Sequence, residues 1–312
     1  MGKWKKWLSA GLFTAMLGTA IIAGPTADVS ANAGNKPYNI ENVSPDAQLA
    51  PSVGDSSSKT SSKAWHKIDG VCYNGSGKKV EGAITRGMDV SEWQGKINWK
   101  EAKKDLDFAF VRISYGTRHL DDYYDYNMTE AEAADVPVGT YVYSLAKTNK
   151  EALAEAQLAI RQMQGHKVSY PVAFDLEDEA TLGTLTRKEI SQIALTFCDE
   201  IRKAGYTPIL YMNLNWYNNF VDWNVLEGSG LDVWIASYGD TILAPSASKY
   251  KYTIWQCTAG DEVPGMISTK KLISGVPKEN NVDLNFGYVD YTTKVVPRWN
   301  SQEGYTLSLI HI

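Results

Sequence analysis

Two carboxylates separated by one residue, Asp175 and Glu177, close an apolar run that starts at Tyr170. On an extended strand, residues i and i+2 leave the same face, so both carboxyls enter one space roughly 6–7 Å apart along the backbone. Glycoside hydrolysis uses such a pair: one acid protonates the leaving oxygen while the other manages the developing positive charge. Crowding of like charge raises one of the two pKa values and keeps that group protonated as the acid. The run continues into Asp178 and Glu179, so a solvated acidic turn is the competing reading. Two more acids interrupt apolar strands, Asp89 in Met88-Asp89-Val90-Ser91 and Asp283 in Asn281-Val282-Asp283-Leu284-Asn285. An acid inside an apolar strand is costly unless it is paired or functional. Tyr141, Tyr143, Tyr211, Asn213, Trp234, Trp255 and Gln256 fall on neighbouring strand-like runs as candidate substrate contacts, with core packing equally open for the aromatics. Arg112 is either an ion-pair partner or a ligand contact.

The elements that must position these residues are legible. Strand-like runs occupy 86–91, 108–115, 138–144, 170–177, 208–213, 232–237, 252–257 and 282–286. Eight runs separated by roughly 20–40 residues predict βα units closing into a parallel, TIM-like barrel, whose C-terminal strand ends carry active sites. Closure would set strand eight, with Asp283, beside strand one, with Asp89. Thr148 with Glu151, and Thr186 with Glu189, are capping boxes that open helices. Leu153, Ala156, Ile160 and Met163 follow the first at helical spacing; Ile190, Ile193, Ala194, Phe197 and Ile201 follow the second, which Gly205 stops. Later connections hold Gly228, Gly230, Gly260 and Pro264 with little helical period, so the second half of the barrel is expected to be irregular.

Composition bounds the rest. The 312 residues are 44% hydrophobic, 11% aromatic and 21% charged, which excludes collagen, coiled coil and wholesale disorder. A formal net charge of −5 offers no basic surface for nucleic acid. Lys3, Lys5 and Lys6 precede the apolar run from Leu8 to Ala23, and Ala31-Asn32-Ala33 is an A-x-A cleavage pattern. Residues 1–33 therefore read as a secretory signal peptide, with no stable membrane insertion expected after its cleavage. Residues 34–64 read as a flexible Ser/Lys-rich linker, 65–85 as a strap into the barrel, and 86–291 as the barrel itself. Residues 292–306 read as the start of a truncated C-terminal segment, and 307–312 as a translated sequencing adapter. Cys72, Cys198 and Cys257 leave at least one thiol unpaired and allow one disulfide. Four scattered His without an H-E-x-x-H motif exclude the common zinc-hydrolase pattern. No metal or cofactor is expected, and the chain is expected to be a monomer.

These motifs together resemble glycoside hydrolase family 25, the Chalaropsis-type lysozymes. The matching text includes Gly87-Met88-Asp89-Val90-Ser91-Glu92-Trp93-Gln94-Gly95, Asp107-Phe108-Ala109-Phe110-Val111-Arg112, Gly139-Thr140-Tyr141 and Phe174-Asp175-Leu176-Glu177. It continues through Ile209-Leu210-Tyr211, Trp234-Ile235-Ala236-Ser237-Tyr238, Ile254-Trp255-Gln256 and Val282-Asp283-Leu284-Asn285. The resemblance implies a modified eight-stranded barrel with five regular α/β units and an irregular remainder. It also implies secreted hydrolysis of the β-1,4 bond from N-acetylmuramic acid to N-acetylglucosamine in peptidoglycan glycan strands. By position, Glu177 is then the general acid and Asp175 orients or stabilises the substrate acetamido group, with Asp89 and Asp283 as supporting carboxylates. A chitinase-like barrel also ends strand four in D-x-E, but Tyr170, Pro171 and Ala173 stand where such enzymes usually alternate Asp. A wall-binding barrel without turnover is the third reading, and the retention of all four acids argues against it.

Overall fold

The computed structural model describes residues 61–260 and 266–299. The expected signal peptide, the linker up to residue 60 and the segment from 300 onward lie outside the described residues. Eight strands form the barrel: β1 (Thr85–Val90), β2 (Phe108–Tyr115), β3 (Val138–Tyr143), β4 (Val172–Asp175), β5 (Pro208–Asn213), β6 (Asp232–Ala236), β7 (Ile254–Thr258) and β8 (Asp283–Gly287). Each pairs with its sequence neighbours, and β8 returns to β1 to close the ring.

The helices follow the pattern read from the sequence. α1 (Trp99–Ala102), α2 (Tyr124–Ala133) and α3 (Asn149–Gln162) follow the first three strands; α4 (Glu179–Leu182) and α5 (Arg187–Lys203) follow β4. Thr148 caps α3 and the full Thr186/Glu189 capping box opens α5. All five apolar residues expected on α5 are buried. On α3 the expected Ala156, Ile160 and Met163 are buried and Leu153 sits at the edge, while Ala152 and Ala159 also lie inward. Small alanines there let α3 approach α5, which it packs against. After β5 the α-helices among the described residues are the short α6 (Leu214–Asn219) and α7 (Trp223–Leu226), and no helix joins β6 to β7.

The barrel is mixed, not parallel as expected. β8 is antiparallel to both β7 and β1. A parallel neighbour needs a crossover connection, usually helical. The connection from β7 to β8 has no helix among its described residues, so the chain turns back at the end it left. That reversal brings Asp283, the first residue of β8, to the same end as Asp89 near the close of β1, and the two are register partners.

The barrel interior is packed in layers. Phe108 stacks on Tyr170 at 4.6 Å and Phe110 stacks on Trp234 at 4.3 Å. Gly87 and Gly139 make the room: a Cβ at Gly87 would collide with the Phe108 ring. One at Gly139 would strike the Pro171 carbonyl oxygen and lie 2.7 Å from the Phe110 ring. Backbone cannot yield as a flexible side chain does, so Gly139→Ala should cost about 2–3 kcal/mol, measured by urea unfolding. A change within 0.5 kcal/mol would mean that the barrel wall relaxes freely there.

The strap is seated on this body as a hairpin, Lys67–Ile68 with Val71–Cys72, and Trp65 beside it is fully buried. Residues 292–299, read as the start of a C-terminal segment, pack on the barrel. Val295 is buried in the interior cluster and Arg298–Trp299 pairs with Lys167–Val168. Cys72, Cys198 and Cys257 are all buried and unpaired. Among the described residues no helix is long and apolar enough to cross a membrane.

Candidate active site

Above the aromatic layers the interior turns polar. Asp89 is buried, and its carboxylate accepts from Gln256 Nε2 at 2.9 and 3.1 Å and from Asn285 Nδ2 at 2.7 Å. A hydrogen bond with Asp283 favours the charged form of Asp89 as well. Burial outweighs these donors and pushes the Asp89 carboxyl up to about 6. Gln256 Oε1 accepts from the Tyr211 hydroxyl at 2.8 Å and the Tyr238 hydroxyl at 3.1 Å. The Tyr211 hydroxyl also lies 3.4 Å from Glu177 Oε2, so a continuous polar path runs from Asp89 to Glu177.

Asp175 and Glu177 stand at the end of β4, as the strand period predicted. Glu177 keeps partial exposure at the mouth. Desolvation first, then the negative charges of Asp89 and Asp178, push its carboxyl up to about 7. Asp175 is buried and its Oδ1 has no hydrogen-bond partner among the described residues. Burial, Glu177 and Asp89 hold its carboxyl well above the ordinary range.

The candidate contacts divide by strand face. Tyr141, Tyr143 and Tyr211 project into the polar layer; Tyr141 neighbours Arg112, Asp89 and Asp175, and Tyr143 neighbours Glu177 and Asp175. Trp255 does not reach the site. Successive strand residues alternate faces, so with Gln256 inward Trp255 points outward, against Phe286, its indole donating to Ser237 O. Trp234 is interior but only 1% exposed, enclosed by Phe110 and Tyr211, and cannot stack on a sugar. Of the two readings of Arg112, the ion pair is the one present. The guanidinium donates to Asp121 Oδ2 at 3.0 Å and Glu92 Oε1 at 2.7 Å; Arg112 and Asp121 are buried and Glu92 is half-buried at the rim. Asn213 caps α6, its side-chain oxygen accepting from Trp216 N at 3.0 Å, which commits that oxygen to the helix start.

Three residues were missed. Asn285 lies two positions from Asp283 and so shares its face, a signal present in the alternation. Tyr238 lies just past β6. Tyr115 had no legible signal: β2 bulges at Ile113, where Arg112 pairs with Tyr141 but Ser114 with Val142. The extra residue flips the parity and puts Tyr115 on the face of Tyr143. Their rings stack at 4.6 Å, and both hydroxyls donate to Asp178 Oδ2 at 3.3 Å.

A closed α/β barrel gathers four carboxyls at one end, with Glu177 and Asp175 both raised so that a proton is held there near neutral pH. This is the architecture of a glycoside hydrolase. The model of Glycosyl hydrolases family 25 matches residues 88–266, more than half of the chain, and the chain belongs to that family. It is 25% identical over 191 residues to Lysozyme M1 of Streptomyces globisporus, covering 58% of this chain and 64% of the relative. The chain thus spans less than two thirds of that relative's length. Among solved structures, a family 25 glycosyl hydrolase from Bacillus anthracis superposes with a TM-score of 0.53 at 23% identity, covering 68% of this chain and 92% of that one. The modular autolysin LytC of Streptococcus pneumoniae, solved with a synthetic peptidoglycan ligand, gives a TM-score of 0.56 at 22% identity, covering 71% and 51%.

Proposed function

We propose that this chain is an exported N-acetylmuramidase that cleaves the β-1,4 bond from N-acetylmuramic acid to N-acetylglucosamine in peptidoglycan. The observation that carries the reading is the pair at the end of β4: Glu177, raised to about 7, beside a buried Asp175 with an unpartnered oxygen. In this reading Glu177 gives its proton to the glycosidic oxygen as the bond to C1 breaks. Asp175 Oδ1 takes up the N–H of the substrate acetamido group and aims the acetamido oxygen at C1. Water then opens the cyclic intermediate, its proton returning to Glu177, with overall retention. Ionised Asp89, supported by Asp283, offsets the positive charge that develops at the sugar. Tyr141, Tyr143 and Tyr211 line the sugar path, with Tyr115 extending it at the rim. The Lysozyme M1 relative and the peptidoglycan ligand of LytC support the choice of substrate.

Digestion of purified cell walls should release fragments with N-acetylmuramic acid at the reducing end, identified by mass spectrometry. Proton NMR of the first product should show the β-anomer. Reducing-end N-acetylglucosamine, or turnover of chitin oligomers alone, would overturn the muramidase assignment.

A further inference from the structure

We infer that Trp234 and Asn285 form an orientation lock that aims amide N–H groups at Asp89, making Trp234 a positioning residue of the site. The inference rests on the glycosidase reading above for its kinetic consequence, but the lock is a matter of donors and acceptors.

An indole nitrogen can only donate. Trp234 Nε1 donates to Asn285 Oδ1 at 2.7 Å, and the ring cannot turn away because Phe110 stacks on one face and Tyr211 meets it edge-on. With its oxygen occupied, the Asn285 amide has one orientation left, and its Nδ2 falls 2.7 Å from Asp89 Oδ2. Flipping Asn285 would set carbonyl oxygen against carboxylate and NH2 against indole N–H, losing two buried hydrogen bonds at once. Gln256 is set from the other side: its Oε1 faces the Tyr211 and Tyr238 hydroxyls, so its Nε2 faces Asp89. Tyrosine hydroxyls can accept as well as donate, so the indole is the member that makes the direction unique.

The lock decides which form of Asp89 the site prefers. Amide donors favour the carboxylate, while burial favours the neutral acid. The other ionisable groups facing Asp89 are Asp283 across the β8 register, Asp175 and Glu177 from β4, Tyr141 from β3, Tyr211 from β5, and Tyr238 beyond β6. Cys257 lies behind it on β7, and Arg112 on β2 is bound to Glu92 and Asp121. None of the facing groups is a cation, so hydrogen bonds keep Asp89 charged, those of the two amides first and that with Asp283 after them.

The test is the pH dependence of kcat and KM on soluble peptidoglycan fragments. Trp234→Phe keeps a ring and removes the N–H. It should move the acidic limb of the kcat profile to higher pH and lower kcat at pH 5 about tenfold, with KM changed less than about twofold. Asn285→Asp, nearly isosteric, serves if Trp234→Phe does not fold; a second carboxyl facing Asp89 should move the same limb the same way. A merely structural role would lower the melting temperature or the active fraction and leave the limb in place. Unshifted limbs in the folded variants would overturn the lock. A wild-type chain inactive on every wall would instead refute the glycosidase reading. The lock would then be read from the carboxyl carbon-13 titration of Asp89, whose midpoint should rise in Trp234→Phe and would refute the lock if unmoved.

Discussion

Glu177→Gln should abolish wall clearing, lowering kcat at least about a thousandfold while the barrel stays folded. General-acid catalysis contributes about 10²–10⁴-fold, and a residue whose pKa sits near the working pH gives the most of it. Glutamine fills the same volume and leaves the neighbouring Tyr211 hydroxyl an acceptor, but it has no proton to give. The change also removes a carboxyl that burial, Asp89 and Asp178 hold above its ordinary range. The variant should therefore melt at a higher temperature than wild type at pH 8. Loss of activity with gain of stability is the signature of a strained functional group, and simple misfolding cannot produce it. Clearing at the wild-type rate would remove Glu177 from the role of acid.

What the amino-acid sequence made visible follows from short-range physics. The strand runs lie where β-branched and aromatic residues cluster, and all eight begin within two residues of the observed strands. The same period of two that placed Asp175 and Glu177 together also forbids Trp255 and Gln256 from sharing a face, so reading both into the cleft broke the rule that found the carboxyl pair. Other features depended on long-range partners. The direction of β8 is set by a loop that lacks a crossover helix, and Tyr115 is aimed by a bulge at Ile113 that no local pattern announces. Arg112 shows its role only when the chain brings Glu92 and Asp121 around it. Trp234 is the instructive error: an aromatic on the correct face, one layer too deep to meet a sugar, yet hydrogen-bonded to the site through Asn285.

Stability should fall, not rise, as pH increases from about 5 to 8, because the folded chain holds protons that the unfolded chain releases. Glu177 moves from 4.5 to about 7 on folding and Asp89 from 3.8 to about 6, in both cases chiefly through burial. Asp175, held well above the ordinary range by burial, acts in the same sense, as does Glu155 on α3, raised to about 7, which accepts from Ser144 Oγ and Leu145 N. For an acid whose folded pKa is raised, stability is full below the unfolded value and is lost as pH climbs through the folded one. The Glu177 shift corresponds to about 3 kcal/mol at most, and its partial exposure at the mouth reduces that through solvent screening. These effects do not simply add, since Asp89, Asp175 and Glu177 repel one another and the first charge to form alters the others. Asp135 and Glu189 act in the opposite sense, drawn below the ordinary range by Lys103 and by the Thr186 cap, but their window lies at lower pH. Urea unfolding at half-unit steps from pH 5 to 8 should show the decline in wild type and a shallower one in Glu177→Gln. If both chains gained stability toward pH 8, or if their slopes matched, the carboxyls of the site would be ordinarily hydrated, and Glu177 would have no reserve of proton to deliver at neutral pH.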